Sequence, residues 1–230
     1  MRRMPAVLFV LLMVVGTPTW SWWPRGHSIL SRAAAVALPQ EAPEFFRSGG
    51  NAIAHYVWDP DLAKNRSTPL VRGAEKPEHY FNPERLREGD LDFPEDRYSF
   101  VQLCAKQGVS PEDVGFLPYA VAEWTQCLAV AFAEHRKWPD NPYIQQKCLV
   151  YAGFIAHYAQ DLCQPLHLTM HYDGRPKPDG TFQRTGIHFR VDDLVRRLGL
   201  KPEDLAWDQK IEPIDDLMAG IFSQVEASSS

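Results

Sequence analysis

Two histidines and an aspartate lie close together in the segment HYAQDLCQPLH, residues 157–167. His157 and Asp161 are four positions apart, so on a helix they share one face. Pro165 cannot continue a helix, and the turn it imposes can return His167 to the same helix end. Burying these groups without partners is costly. Imidazole and carboxylate together suit a transition metal, so the segment predicts a metal site; a core histidine bonded to an aspartate is the structural alternative.

Residues elsewhere in the chain could complete such a site. His188 and Asp192 repeat the four-residue spacing, although an exposed pair of charges would explain that spacing equally well. Two further candidates, Asp61 and His79, lie in a predicted loop region. Single polar residues in a loop are normally solvated turn groups. The candidates outside the first motif are His27, Asp61, His79, His188 and Asp192, with Asp59 as a competitor of Asp61.

The elements that must position these residues are helices. Apolar residues recur at helical spacing, and no alternating run of useful length predicts a strand. From Leu149 onward the helix that carries the first motif is apolar nearly all round, which predicts a central helix covered by others. Residues 59–94 are predicted to be a long ordered loop region with short helical pieces. The predicted helices are 26–38, 43–48, 118–137, 143–162, 188–200 and 213–227. We therefore expect one all-α multi-helix domain with long loops.

The N-terminus has the pattern of a secretory signal peptide. Two arginines precede an apolar run of eleven residues at 6–16, which is too short to span a bilayer. Small residues favour cleavage before Trp22, which gives a signal peptide at 1–21, a domain at 22–230 and a secreted or periplasmic location. Because cleavage removes Arg2 and Arg3 and no acidic residue, the formal charge changes from −5 to −7. This charge opposes a broad basic groove for nucleic acid but not a metal-centred site.

Four cysteines remain in that domain, Cys104, Cys127, Cys148 and Cys163. Export permits disulfides, and two disulfides, one disulfide or buried thiols are all compatible with the sequence. No CxxC spacing is present, so a zinc–thiolate site has little support.

The candidates occur in an order that resembles one superfamily, which contains the zinc-dependent bacterial phospholipases C and the fungal and plant single-strand-specific nucleases. The resemblance extends over nearly all of the predicted mature chain, and HYAQDLCQPLH is its most specific part. The matching segments are WWPRGH (22–27), DPD (59–61), EHYF (78–81), HYAQDLCQPLH (157–167) and GIHFRVD (186–192).

The resemblance implies a trinuclear zinc cleft. The first zinc would be held by Asp61, His79, His157 and Asp161, and the second by His167, His188 and Asp192. The third would be held by the α-amino group and carbonyl oxygen of Trp22, by His27, and by Asp161 as a bridge. The second site has three protein ligands, which leaves a position open as in catalytic zinc sites. Asp61 and Asp161 are the implied catalytic residues, with Asp61 orienting or deprotonating the attacking water.

The implied activity is hydrolysis of a phosphodiester by a secreted zinc enzyme. Four features depart from the family pattern: Trp23 replaces a glycine, Asn82 replaces an aspartate, the nuclease-type Asp-x-Gly-Gly-Asn loop is absent, and the last motif lacks the nuclease-type Trp before its aspartate. We expect a single-strand-type nuclease or nucleotidase, whose bases could stack on Trp58, Tyr80 or Phe81, although these rings could equally be core.

Two alternatives stay open. One is a phospholipase C acting on phospholipid, and the other is a non-catalytic binding module that zinc stabilises. Neither stable membrane insertion nor an obligate protein partner is expected.

Overall fold

The structure is a computed structural model that describes residues 24–86, 93–177, 179, 181, 183–206 and 211–229. The predicted signal peptide (1–21), the cleavage point and Trp22 as a metal ligand lie outside these residues. No helix within the described ranges is both long and apolar enough to cross a bilayer.

Helices joined by turns make up the described parts of the chain, and none of these residues forms a β-strand. This confirms the all-α prediction. Short 3-10 turns cover Lys76–His79, Pro83–Arg85 and Pro165–His167. The helices are α1 (Pro24–Val36), α2 (Glu44–Arg47), α3 (Gly50–Tyr56), α4 (Asp59–Ala63), α5 (Pro69–Glu75), α6 (Arg97–Gln107), α7 (Pro111–Val114), α8 (Leu117–Lys137), α9 (Pro142–Leu162), α10 (Ile187–Asp192), α11 (Leu194–Arg197), α12 (Pro202–Ala206) and α13 (Leu217–Ser229).

Helix α9 is the centre of the fold, as its apolar composition predicted. It begins where the Asn141 side chain accepts a hydrogen bond from the Tyr143 backbone N–H at 3.0 Å, with Pro142 in the first turn. Its C-terminal part joins one apolar cluster and its N-terminal part joins another. The first cluster contains Phe81, Phe100, Leu117, Tyr119, Tyr158 and Leu162. The second contains Phe46, Ile53, Ala131, Ile144, Cys148 and Ala152. Burial on both sides fixes α9, and with it the histidine and aspartate at its end.

Glycine allows α3 to approach α9 closely. A Cβ atom added to Gly153 would lie only 2.5 Å from Cβ of Tyr56 and 3.1 Å from the backbone nitrogen of Val57. Any larger side chain would push the two helices apart. This close contact brings the backbone of Val57 within reach of His157, one turn along α9.

Several helices differ from the sequence-based expectation. The predicted helix 188–200 is two short helices, because the backbone leaves helical values at Asp193, with φ −92° and ψ 4°. The buried Asp193 carboxylate accepts hydrogen bonds from the side chains of Arg196 and Arg197 at this break. Helices α3, α6, α7 and α12 were not predicted from the sequence, although Asp96 accepts a hydrogen bond from the Ser99 N–H as the N-cap of α6.

Candidate metal centre

Asp161, in the last turn of α9, is the centre of a cluster of histidines. Its side chain is 2% exposed. Oδ1 lies 3.5 Å from Nε2 of His27 and 3.5 Å from Nε2 of His167. Oδ2 lies 3.0 Å from Nδ1 of His79 and 3.3 Å from Nε2 of His157. Each carboxylate oxygen therefore faces two imidazoles, an arrangement in which one carboxylate can bridge two cations.

Three groups of side chains among the described residues could each hold a metal ion. Within a group, all ligand atoms lie within 4.8 Å of one another. The groups are His27, Asp61 and His157; His79, His157 and Asp161; and His167, His188 and Asp192. The last of these is the set predicted for the second zinc.

The residues predicted for the first zinc are brought together, but over two overlapping groups that share His157. Asp61 Oδ1 lies 4.0 Å from Nε2 of His157. His27, predicted for the third zinc, lies in one of these groups and also faces Asp161. Asp59 belongs to none of the groups, so the structure favours Asp61 over its competitor.

Backbone carbonyl oxygens fix two of the histidines. Nδ1–H of His157 donates to the carbonyl oxygen of Val57 at 2.8 Å. Nδ1–H of His167 donates to the carbonyl oxygen of His79 at 2.5 Å. Because a carbonyl oxygen can only accept, each Nδ1 carries the proton and each Nε2 presents its lone pair to the cluster in the neutral ring.

Two glutamines within the main motif orient other candidate ligands, a role that the sequence analysis missed. Gln160 Oε1 accepts from Nδ1–H of His27 at 2.7 Å, and the amide of Gln160 donates to Ser31 at 3.0 Å. The amide of Gln164 donates to Asp192 Oδ1 at 2.7 Å. Their placement between metal-ligand candidates in HYAQDLCQPLH is the signal that could have indicated this role.

The charges around the carboxylates keep them ionised. Burial alone would raise the pKa of Asp161, but His167 and His157 outweigh it and hold that pKa well below its usual value. Burial opposes ionisation of Asp61 as well, and Lys64 together with the histidines lowers its pKa. For His167, burial lowers the pKa, yet Asp161 and Asp192 raise it to about 9. Ionised carboxylates at neutral pH are in the state that binds a cation, whereas a cation that binds His167 must displace the proton that its raised pKa favours.

Asp61 provides a direct test of whether the residues fit a metal. Its Oδ1 pairs with Nζ of Lys64 at 2.5 Å. Its Oδ2 is buried and has no hydrogen-bond partner. A buried carboxylate oxygen without a partner is costly, and a cation would satisfy it. The surrounding donors are imidazole nitrogen and carboxylate oxygen, which are ligands that zinc accepts.

The start of α1 is held against α10 by a second close glycine contact. A Cβ atom on Gly26 would lie 2.4 Å from the carbonyl oxygen of Asp192. Only glycine allows this approach, which sets His27 beside the other ligand candidates. This contact explains why a glycine directly precedes His27 in the WWPRGH segment.

The described cysteines take no part in the cluster. All four are free thiols, with Cys104 and Cys148 buried. Burial raises the pKa of the Cys104 thiol, so this thiol is a poor nucleophile and metal ligand at neutral pH.

The cluster can therefore hold one or more cations on buried imidazole and carboxylate groups, all of them among the residues singled out from the sequence. Comparison with protein-family models, with curated proteins and with solved structures finds no match to this chain.

Proposed function

We propose that this chain is a zinc-dependent hydrolase of phosphate esters, belonging to the superfamily of zinc-dependent phospholipases C and single-strand-specific nucleases. The observation that carries the proposal is the position of Asp161, whose two carboxylate oxygens face four imidazoles, three of them buried and that of His27 partly buried. The order of motifs along the chain supports the same assignment. A purely structural histidine–aspartate pair would need one imidazole, not four.

Three zinc ions are proposed, with the ligands that the resemblance implies. Asp61, His79, His157 and Asp161 would hold the first, and His167, His188 and Asp192 the second. The N-terminal Trp22, His27 and Asp161 would hold the third, which requires a signal peptide cut before Trp22. Among the described residues, the group of His167, His188 and Asp192 coincides with the set for the second ion, and the other two groups overlap the set for the first.

Zinc, when bound, supplies a Lewis acid that polarises a phosphoryl oxygen and makes water acidic enough to attack near neutral pH. The chain's own residues do the remaining work. Asp161 holds the ligand groups at a fixed separation, and Asp61, whose buried Oδ2 would face the cation, is proposed to help orient or deprotonate the attacking water. Lys64, beside Asp61, places a positive charge where the negative oxygens of a phosphate ester can meet it.

Single-stranded nucleic acid or a nucleotide is the proposed substrate. The spacing of five positions from Trp22 to His27 and that of 21 positions from His167 to His188 resemble the spacings in the nucleases. Of the stacking candidates, Phe81 is fully buried in the core, and the indole N–H of Trp58 donates to Ser28 at 2.6 Å.

A different aromatic ring, Tyr172, is better placed for stacking. It is 44% exposed, and its centroid lies 5.5 Å from the ring of His188. An exposed planar ring beside the second ligand group suits stacking on a base. Tyr172 was not among the stacking candidates predicted from the sequence.

The experiment that tests the function uses zinc-replete mature protein that begins at Trp22. Single-stranded DNA, single-stranded RNA and phosphatidylcholine are offered side by side, each with a chelated control. We expect cleavage of nucleic acid that the chelator abolishes. Cleavage of phosphatidylcholine alone would move the protein to the phospholipase C branch. No turnover on any substrate, with zinc bound, would favour the non-catalytic module.

A further inference from the structure

His79 is held differently from the other histidines of the cluster. Its Nδ1 points inward, 3.0 Å from Oδ2 of Asp161 and 3.0 Å from Nε2 of His157. Its Nε2 points outward and lies 3.2 Å from Oε1 of Glu75, one turn earlier in the chain, which is an ion-pair distance without the alignment of a hydrogen bond. The atom of His79 available to a cation is therefore Nδ1, and a carboxylate stands behind the opposite nitrogen.

In three other histidines, the ring nitrogen that faces away from the cluster has a neutral partner. The outer nitrogens of His157 and His167 donate to backbone carbonyl oxygens, and that of His27 donates to an amide oxygen. The negative charge of a carboxylate beside the ring favours a proton on the facing nitrogen more strongly than a neutral oxygen does. It therefore makes the opposite nitrogen a stronger electron donor to a cation.

Tyr158 fixes the Glu75 carboxylate. The Tyr158 hydroxyl donates to Glu75 Oε1 at 2.5 Å, and the Tyr158 residue is 1% exposed. Tyr158 directly follows His157 on α9, so the buried helix that carries one candidate ligand also holds the group behind another. Glu75 ends α5, and its backbone is continuous with the 3-10 turn that carries His79.

We propose that Glu75, held by the Tyr158 hydroxyl, is a positioning residue that orients His79 and strengthens its binding of the first metal ion. This inference rests on the proposed function, because it requires that the cluster bind zinc. Carboxylates in this position behind a ligating histidine contribute about tenfold to a hundredfold in metal affinity.

The test measures zinc affinity rather than activity. Metal-free protein is titrated with zinc against a chromophoric chelator, and the absorption spectrum of the cobalt-substituted protein is recorded in parallel. We expect Glu75→Gln to weaken the binding of the zinc ion that His79 would hold by about tenfold to a hundredfold. We also expect it to change the cobalt ligand-field bands. Tyr158→Phe, which removes only the hydroxyl, should weaken the binding of the same zinc ion by less than Glu75→Gln does.

The matched control is Glu123→Gln. Glu123 lies on α8, and its carboxylate pairs with Arg97 at 2.7 Å rather than with a histidine of the cluster. This variant should bind zinc and cobalt as the parent protein does. If Glu75→Gln fails to fold, the cobalt spectrum of Tyr158→Phe still tests whether the Glu75 carboxylate positions His79.

Two results would overturn the inference. If both Glu75→Gln and Tyr158→Phe bind zinc as tightly as the parent, with an unchanged cobalt spectrum, Glu75 has no positioning role and the proposed function stands. If the parent protein itself binds no zinc, the proposed function fails together with this inference.

Discussion

Replacing Asp161 with asparagine is expected to release two of three zinc ions and to lower kcat/KM by about a thousandfold or more. The reason is that its two carboxylate oxygens face separate pairs of imidazoles, His27 with His167 and His79 with His157. Asparagine has nearly the same shape but no negative charge, so it cannot bridge two cations. The measurement is metal content by mass spectrometry after gel filtration, followed by phosphodiester hydrolysis.

Asp59→Asn is the matched control for this substitution. Asp59 lies on α4, close to Asp61 in the chain, but it belongs to none of the groups that could hold a metal. This variant should keep three ions and the parent activity. Far-UV circular dichroism checks that both variants retain their helices. An Asp161→Asn protein that keeps all three ions would refute the bridge.

Removing the metal is expected to lower the melting temperature as well as to abolish activity. Ions that bind only the folded protein stabilise it by about 4 kcal/mol at a thousandfold excess over their Kd. For a domain of this size, that corresponds to a fall on the order of 10 °C when they are stripped. The buried, ionised carboxylates of Asp61 and Asp161 would then face the histidines without a cation between them. Calorimetry of zinc-replete and chelated protein measures the difference.

Restoring the metal separates a specific site from general ion effects. Addition of Zn²⁺ should return both the melting temperature and the activity. Mg²⁺ should return neither, because it prefers an octahedron of oxygen ligands over imidazole. Equal melting temperatures with and without chelator would contradict a buried metal centre. Recovery of stability without any turnover would instead support the non-catalytic module.

The main helices and most candidate ligands could be predicted from the sequence because their signals are local. Pro142 and Pro118 mark helix starts, and apolar spacing follows each of them. His157 and Asp161 lie on one face of α9 because they are four positions apart. Asp193, in contrast, breaks a predicted helix through contacts of its own carboxylate with Arg196 and Arg197, which spacing does not reveal.

The residues that support the ligands were not predictable in the same way. The carbonyl oxygen of Val57 meets His157 across 100 positions of the chain, and a backbone atom carries no side-chain signal. Glu75 and Tyr158 meet across 83 positions. Such contacts exist only once α3, α5 and α9 have packed together.

The most direct test of the metal centre is anomalous diffraction at the zinc edge, from crystals of mature protein that begins at Trp22 and is grown with zinc. We expect one anomalous peak among His79, His157 and Asp161, one among His167, His188 and Asp192, and one beside His27 and Asp161. The absence of any peak at these side chains, in crystals that are otherwise well ordered, would contradict the proposed zinc centre and the hydrolase function built on it.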